Sequence, residues 1–79
     1  MIYTDGTHLV ADVLTELHEF AFSIGLRRNW FQDHPRHPHY DLTTQRAAAR
    51  ALKNGAVLVS QRYIIQISHS YPKVRGDEV

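Results

Sequence analysis

From Val13 onward, the apolar residues Val13, Leu14, Leu17, Phe20, Ala21 and Ile24 recur at intervals of one, three and four. This is the repeat of a helix that buries one face. Asp12 is its expected N-cap, Glu16 falls in the first turn, and Gly25 stands where a helix-terminating glycine belongs. A second helix is predicted from a Thr43 or Thr44 cap to about Asn54, filled by Ala47, Ala48, Ala49, Ala51 and Leu52 and ended by Gly55. Gln61 to Ser68 suits a short third helix capped by Ser60 better than an isoleucine-rich strand.

Between the helices lie the expected strands. Met1 to Tyr3 is a short apolar run closed by Thr4-Asp5-Gly6, which predicts a strand and a turn. Leu26 to Gln32 is β-compatible and is read as a second strand. Ala56 to Val59 is continuously apolar, as in a strand covered on both faces. Asp33 to Tyr40 contains Pro35 and Pro38, which remove backbone donors and disfavour regular structure. The resulting order predicts a small α/β domain: two or three layers, βαβαβ, with a short parallel sheet and right-handed crossovers. In such sheets ligands bind beyond the carboxyl ends of the strands. The polar residues after each strand are therefore expected on one rim: Asp5, Gly6, Thr7 and His8; Asp33 to Asp41; and Ser60 with Arg62.

Length and composition narrow the possibilities. Seventy-nine residues make one domain, read as residues 1–70 with a loose tail over 71–79. A domain this small has a thin stability margin, commonly reinforced by disulfides, a metal or a second subunit. There is no cysteine, which leaves a metal or a homo-oligomer and agrees with a reducing compartment. No apolar run is long enough to span a bilayer, and the opening residues lack the pattern of a signal peptide, so a cytoplasmic location without membrane association is expected. The formal charge of +1 does not by itself point to nucleic acid. The unusual feature is six histidines, three of them (His34, His37 and His39) within one six-residue stretch.

That stretch carries the main chemical expectation. Three imidazoles on a proline-stiffened loop, with Asp33 and Asp41, can ligate zinc or manganese, and Asp5 at the end of the first strand is placed to join His34, His37 and His39 as a ligand. Without a metal, Asp5, His8, His34, His37 and His39 supply acids and bases. Arg36, Tyr40, Asp41, Thr43, Thr44 and Ser60 are the candidates for holding a phosphate or another ligand. Each has a plainer reading: Asp5-Gly6 as an ordinary turn, Thr43, Thr44 and Ser60 as caps, the histidines as loop-building groups. Arg27-Arg28-Asn29-Trp30-Phe31 places basic and aromatic residues side by side, as nucleic-acid surfaces do, although a buried tryptophan between solvated arginines is the plainer reading. His18 is expected on the polar side of its helix, and His69 in the tail.

The run Trp30-Phe31-Gln32-Asp33-His34-Pro35-Arg36-His37-Pro38-His39-Tyr40-Asp41-Leu42-Thr43 resembles the hallmark of a bacterial and phage domain family of unknown function, numbered 4031. Ile2 to Gly6 and Gly55 to Ser60 resemble it too, so the likeness covers most of residues 1–62. It implies kinship without an activity. A first strand ending in Asp and the Ala51 to Val59 unit also resemble PIN-type nucleases at the level of the fold, but Asp5, Asp33 and Asp41 are the only carboxylates placed to serve. Three functional expectations follow: a metal- or histidine-dependent hydrolase or phosphodiesterase acting on a nucleotide or nucleic acid; a non-catalytic module binding a nucleotide, nucleic acid or protein; or a homo-oligomeric structural protein with the loop as its interface.

Overall fold

The structure, a computed structural model, describes residues 1–69. The expected tail over 71–79 lies outside the described residues. In chain order the elements are β1 (Ile2–Thr4), β2 (His8–Ala11), α1 (Leu14–Ser23), a 3₁₀ turn (Arg28–Trp30), β3 (Phe31–Gln32), β4 (His39–Asp41), α2 (Gln45–Lys53), β5 (Val57–Leu58) and α3 (Gln61–His69). The sheet order is β3-β4-β2-β1-β5.

The domain is α/β, as expected, but its sheet is mixed. Only β1 and β5 run parallel; β1–β2, β2–β4 and β3–β4 are antiparallel. The difference begins at the first turn. Asp5-Gly6-Thr7 does not lead directly towards a helix. It reverses the chain so that Thr4 faces Leu9 and Tyr3 faces Val10. Gly6 adopts φ of 97°, in the left-handed region that glycine tolerates at no steric cost. The Asp5 carboxylate then holds the turn closed by accepting from the N–H groups of Thr7 and His8 at 2.9 and 2.8 Å. The expected strand over Leu26 to Gln32 shrinks to Phe31–Gln32, because Arg28–Trp30 coils into the 3₁₀ turn. The proline-bounded segment, expected to be irregular, supplies β4 immediately after Pro38.

The register sorts side chains between two faces. Ile2, Leu9, Ala11 and Tyr40 pack with Leu17, Ala21 and Ile24 of α1 and Ala51 of α2. Tyr3 and Val10 pack on the opposite side with Ile64 of α3. Helices therefore cover both faces, giving the three-layer form.

α1 starts one residue later than expected and has no side-chain cap. Val13 is its N-cap, while both carboxylate oxygens of Asp12 lie within reach of the Tyr3 hydroxyl, at 3.1 and 3.3 Å. α2 is capped by Thr44, whose hydroxyl oxygen accepts from the Ala47 N–H at 3.0 Å. Ser60 does the same for α3, accepting from the Tyr63 N–H at 3.1 Å. No helix among the described residues is long and apolar enough to cross a membrane.

Candidate functional site: a histidine–carboxylate cluster on one face of the sheet

His8 and Asp41 are register partners across β2 and β4, and His39 lies two residues before Asp41 on the same side of β4. The pleat thus brings one imidazole from β2 and an imidazole and a carboxylate from β4 to one face. One ligand-type atom from each of His8, His39 and Asp41 lies within 4.8 Å of the others. The His8 and His39 rings meet edge to face with centroids 5.2 Å apart.

The hydrogen bonds around the cluster set which nitrogen each ring presents. His8 Nδ1 is 3.0 Å from Asp5 Oδ2. Burial pushes the Asp5 carboxyl up, but the His8 imidazole and the N–H groups of His8 and Thr7 together hold it below the ordinary carboxylate range. An ionised Asp5 accepts a hydrogen bond from His8 Nδ1–H, which leaves the Nε2 lone pair of a neutral His8 ring free. His39 Nδ1 donates to the His37 carbonyl at 2.5 Å, since a carbonyl can only accept. His39 Nε2 is then the second free nitrogen, and it stands 3.1 Å from Asp41 Oδ1. A bare imidazole nitrogen and a carboxylate oxygen repel at that distance unless a proton or a cation lies between them. The 3.1 Å spacing is close to the edge of about 3.3 Å expected for a tetrahedron with metal–ligand bonds of about 2.0–2.1 Å.

This arrangement has the form of a carboxylate–histidine–metal relay. A ligating imidazole commonly donates its other N–H to a carboxylate or carbonyl, which fixes the tautomer and raises the ring's basicity. Asp5 stands where such a partner would for His8, and the His37 carbonyl where one would for His39. Two imidazoles and a carboxylate suit zinc, manganese or iron, with further positions left for water or substrate.

The other candidates are placed differently. Asp5 lies beside the cluster and supports it through His8. His34 is exposed, and its Nδ1 accepts from the N–H groups of Arg36 and His37 at 3.1 and 3.3 Å, so it shapes the loop. His37 turns towards α3. Its Nδ1 is 3.2 Å from the buried Ser68 hydroxyl, and its ring stacks on His34 and tilts against His69. Burial, followed by the nearby His34, His69, Arg36 and His39, lowers the His37 pKa. His37 nevertheless borders a small recess shared with His8 and His39. Arg36 is exposed on the loop.

Tyr40, a candidate for ligand binding, is buried on the opposite face of β4. Its hydroxyl is 2.8 Å from His18 Nδ1, and burial raises its pKa. His18, expected on a solvated face, is therefore half-buried against the sheet; burial and then the Arg28 charge lower its pKa. Ser60 and Thr44 act as caps. Thr43 and Thr44 also line a cavity that shares Asp41 with the cluster.

Trp30 belongs to the 3₁₀ turn and is 47% exposed, not buried between arginines. The adjacent Arg27-Arg28 pair and the following Phe31 were the signal for it, but a 3₁₀ turn within an apparently β-like run leaves no periodicity to read.

Fold and cluster together define a small three-layer α/β domain with a histidine–carboxylate centre on its sheet. The model of the family described as protein of unknown function (DUF4031) matches residues 4–70, and the chain belongs to that family. No curated protein and no solved structure matches the chain.

Proposed function

We propose that this protein is a divalent-metal-dependent hydrolase of phosphate esters, in which His8, His39 and Asp41 hold zinc or manganese and Asp5 positions His8. The observation that carries this reading is the orientation of the two rings. Each has its Nδ1 committed, to Asp5 or to the His37 carbonyl, while His39 Nε2 stands 3.1 Å from Asp41 and ligand-type atoms of all three residues lie within 4.8 Å of one another. A metal held by these three groups would supply Lewis acidity, to activate a water and to stabilise charge developing on a phosphoryl oxygen. Arg46 and Arg50 line the cavity that reaches Asp41 and offer guanidinium donors for the phosphate.

A metal-free reading also has an observation in its favour. A proton on His39 Nε2 satisfies the same 3.1 Å contact with Asp41, giving an ion pair available for acid–base work. Metal content separates the two. Protein purified without chelator should carry or take up one zinc or manganese per chain, and it should hydrolyse an activated phosphodiester only when loaded. His39→Ala should lose both properties and His34→Ala neither. Absence of uptake together with metal-independent turnover would favour the acid–base pair, whereas stoichiometric uptake without turnover on any phosphodiester would leave a binding module.

A further inference from the structure

We infer that the cavity between the 3₁₀ turn and α2 is a binding site for a nucleoside phosphate unit, free or within a single strand. The base would lie against Trp30, and the phosphate would meet Arg46. This inference supplies a substrate class for the phosphate-ester reading and rests on it. The cavity measures about 520 Å³, and its lining includes Asn29, Trp30, Gln32, Asp41, Arg46 and Arg50. That volume falls within the range of roughly 300–1,000 Å³ typical of small-molecule sites.

The lining is sorted by chemistry. Trp30 offers an exposed indole on one wall, with the Arg27 guanidinium 5.8 Å from its ring centroid. An exposed aromatic plane suits a base, because every base has a π-face. Asn29 and Gln32 stand beside it. Their amides provide donors and acceptors together, as the edge of a base requires. The α2 wall is cationic. The Arg46 side chain makes no hydrogen bond or ion pair among the described residues, so its five N–H donors are available to a phosphate. Arg50 is partly committed, donating from Nη1 to the Ile24 carbonyl at 2.9 Å, which ties α2 to the end of α1. The Thr43 hydroxyl adds a further donor at the same end. Asp41 is the one carboxylate of the lining, and it is also the residue the cavity shares with the His8–His39 cluster. Asp41 thereby links the cavity to the proposed metal centre.

Trp30 is the sole tryptophan of the chain, so its fluorescence reports on this wall alone. The probe is adenosine monophosphate, titrated into protein kept metal-free with chelator, with adenosine, inorganic phosphate and a short single-stranded oligonucleotide as parallel arms. Saturable quenching by the mononucleotide or the oligonucleotide is expected, weakened about tenfold in Arg46→Ala and stronger than the response to adenosine or phosphate alone. A tighter response to the oligonucleotide would identify the unit as part of a strand, and a tighter response to the mononucleotide would identify it as free; both support the inference. Absence of saturable quenching by either, or quenching indifferent to Arg46→Ala, would overturn it. Both substituted positions are exposed, and Trp30→Phe, followed by calorimetry, provides a second check that should show weakened nucleotide binding in a folded protein. Zinc uptake measured on the same preparations reports separately on the histidine cluster, so failure of the subsite and failure of the metal centre are told apart.

Discussion

Two polar segments of this protein have similar composition and opposite fates. The turn Asp5 to His8 and the loop Asp33 to Pro38 each combine carboxylate and imidazole, and the loop is the richer in histidine. Yet the turn delivers its imidazole to the cluster, while the loop spends His34 on its own backbone and His37 on Ser68. His39, the next residue after the loop, joins the cluster because it is already in a strand. His39 lies in β4, where the pleat fixes its direction and puts Asp41 on the same face. A side-chain cluster needs directions as well as residues, and here antiparallel pairing of β2 and β4 supplies them.

The sharpest way to break this contrast is to remove one imidazole from a strand of the cluster and one from the loop. His39→Ala should abolish stoichiometric zinc or manganese binding and lower phosphodiester hydrolysis by at least about 100-fold, as expected when a ligand is lost. His34→Ala should change both less than about twofold. Calorimetric titration and steady-state rates check this pair, and equal effects would erase the distinction between strand and loop.

Asp5→Asn tests the support of His8 from behind. Loss of such a partner typically weakens metal binding by about 10–100-fold, and titration of the variant against the parent would detect it. Unchanged affinity would reduce Asp5 to a turn residue.

The two segments should also differ in their response to pH. Asp5 has a lowered pKa in the folded protein, so its stabilisation is complete above the unfolded value near 3.8 and is lost as the pH falls through the lower folded value. His37 has a lowered pKa too, but as a base. Folding favours its neutral form, and stability from this residue is present above its unfolded value near 6.5 and is lost as the pH falls through the lower folded value. Denaturation followed across pH should therefore show a His37-dependent decline beginning near 6.5 that His37→Gln removes, and an Asp5-dependent decline only in stronger acid.

The smallest effect is expected away from both segments. Thr44→Ala removes the cap of α2 and should cost about 1 kcal/mol in urea unfolding, with metal affinity unchanged.

The helices were legible in the sequence because their signals are long-range along the chain. Leu17, Ala21 and Ile24 repeat over nearly the whole of α1, and Thr44 and Gly55 bracket α2. The sheet was less legible because its strands are two to four residues long, too short for alternation to declare itself. His8 to Ala11 carries no strand signal for this reason, although it supplies the central strand. Missing it replaced an antiparallel hairpin with a direct run into α1 and made the sheet wholly parallel.

The cluster was legible as an inventory: Asp5, His8, His39 and Asp41 all stood among the candidates. Its membership was not, because His34, His37 and His39 are chemically alike. Only the start of β4 after Pro38 gives His39 its direction. Trp30 illustrates the reverse case. Its neighbours suggested a strand that would bury it, and the 3₁₀ turn exposed it instead.

The central claim is that a cation belongs between His8, His39 and Asp41. Anomalous scattering from crystals grown with zinc or manganese tests it most directly. A single strong peak within bonding distance of His8 Nε2, His39 Nε2 and an Asp41 oxygen is the predicted result. A peak seated on His34 and His37, or a map with none at the sheet, would contradict it.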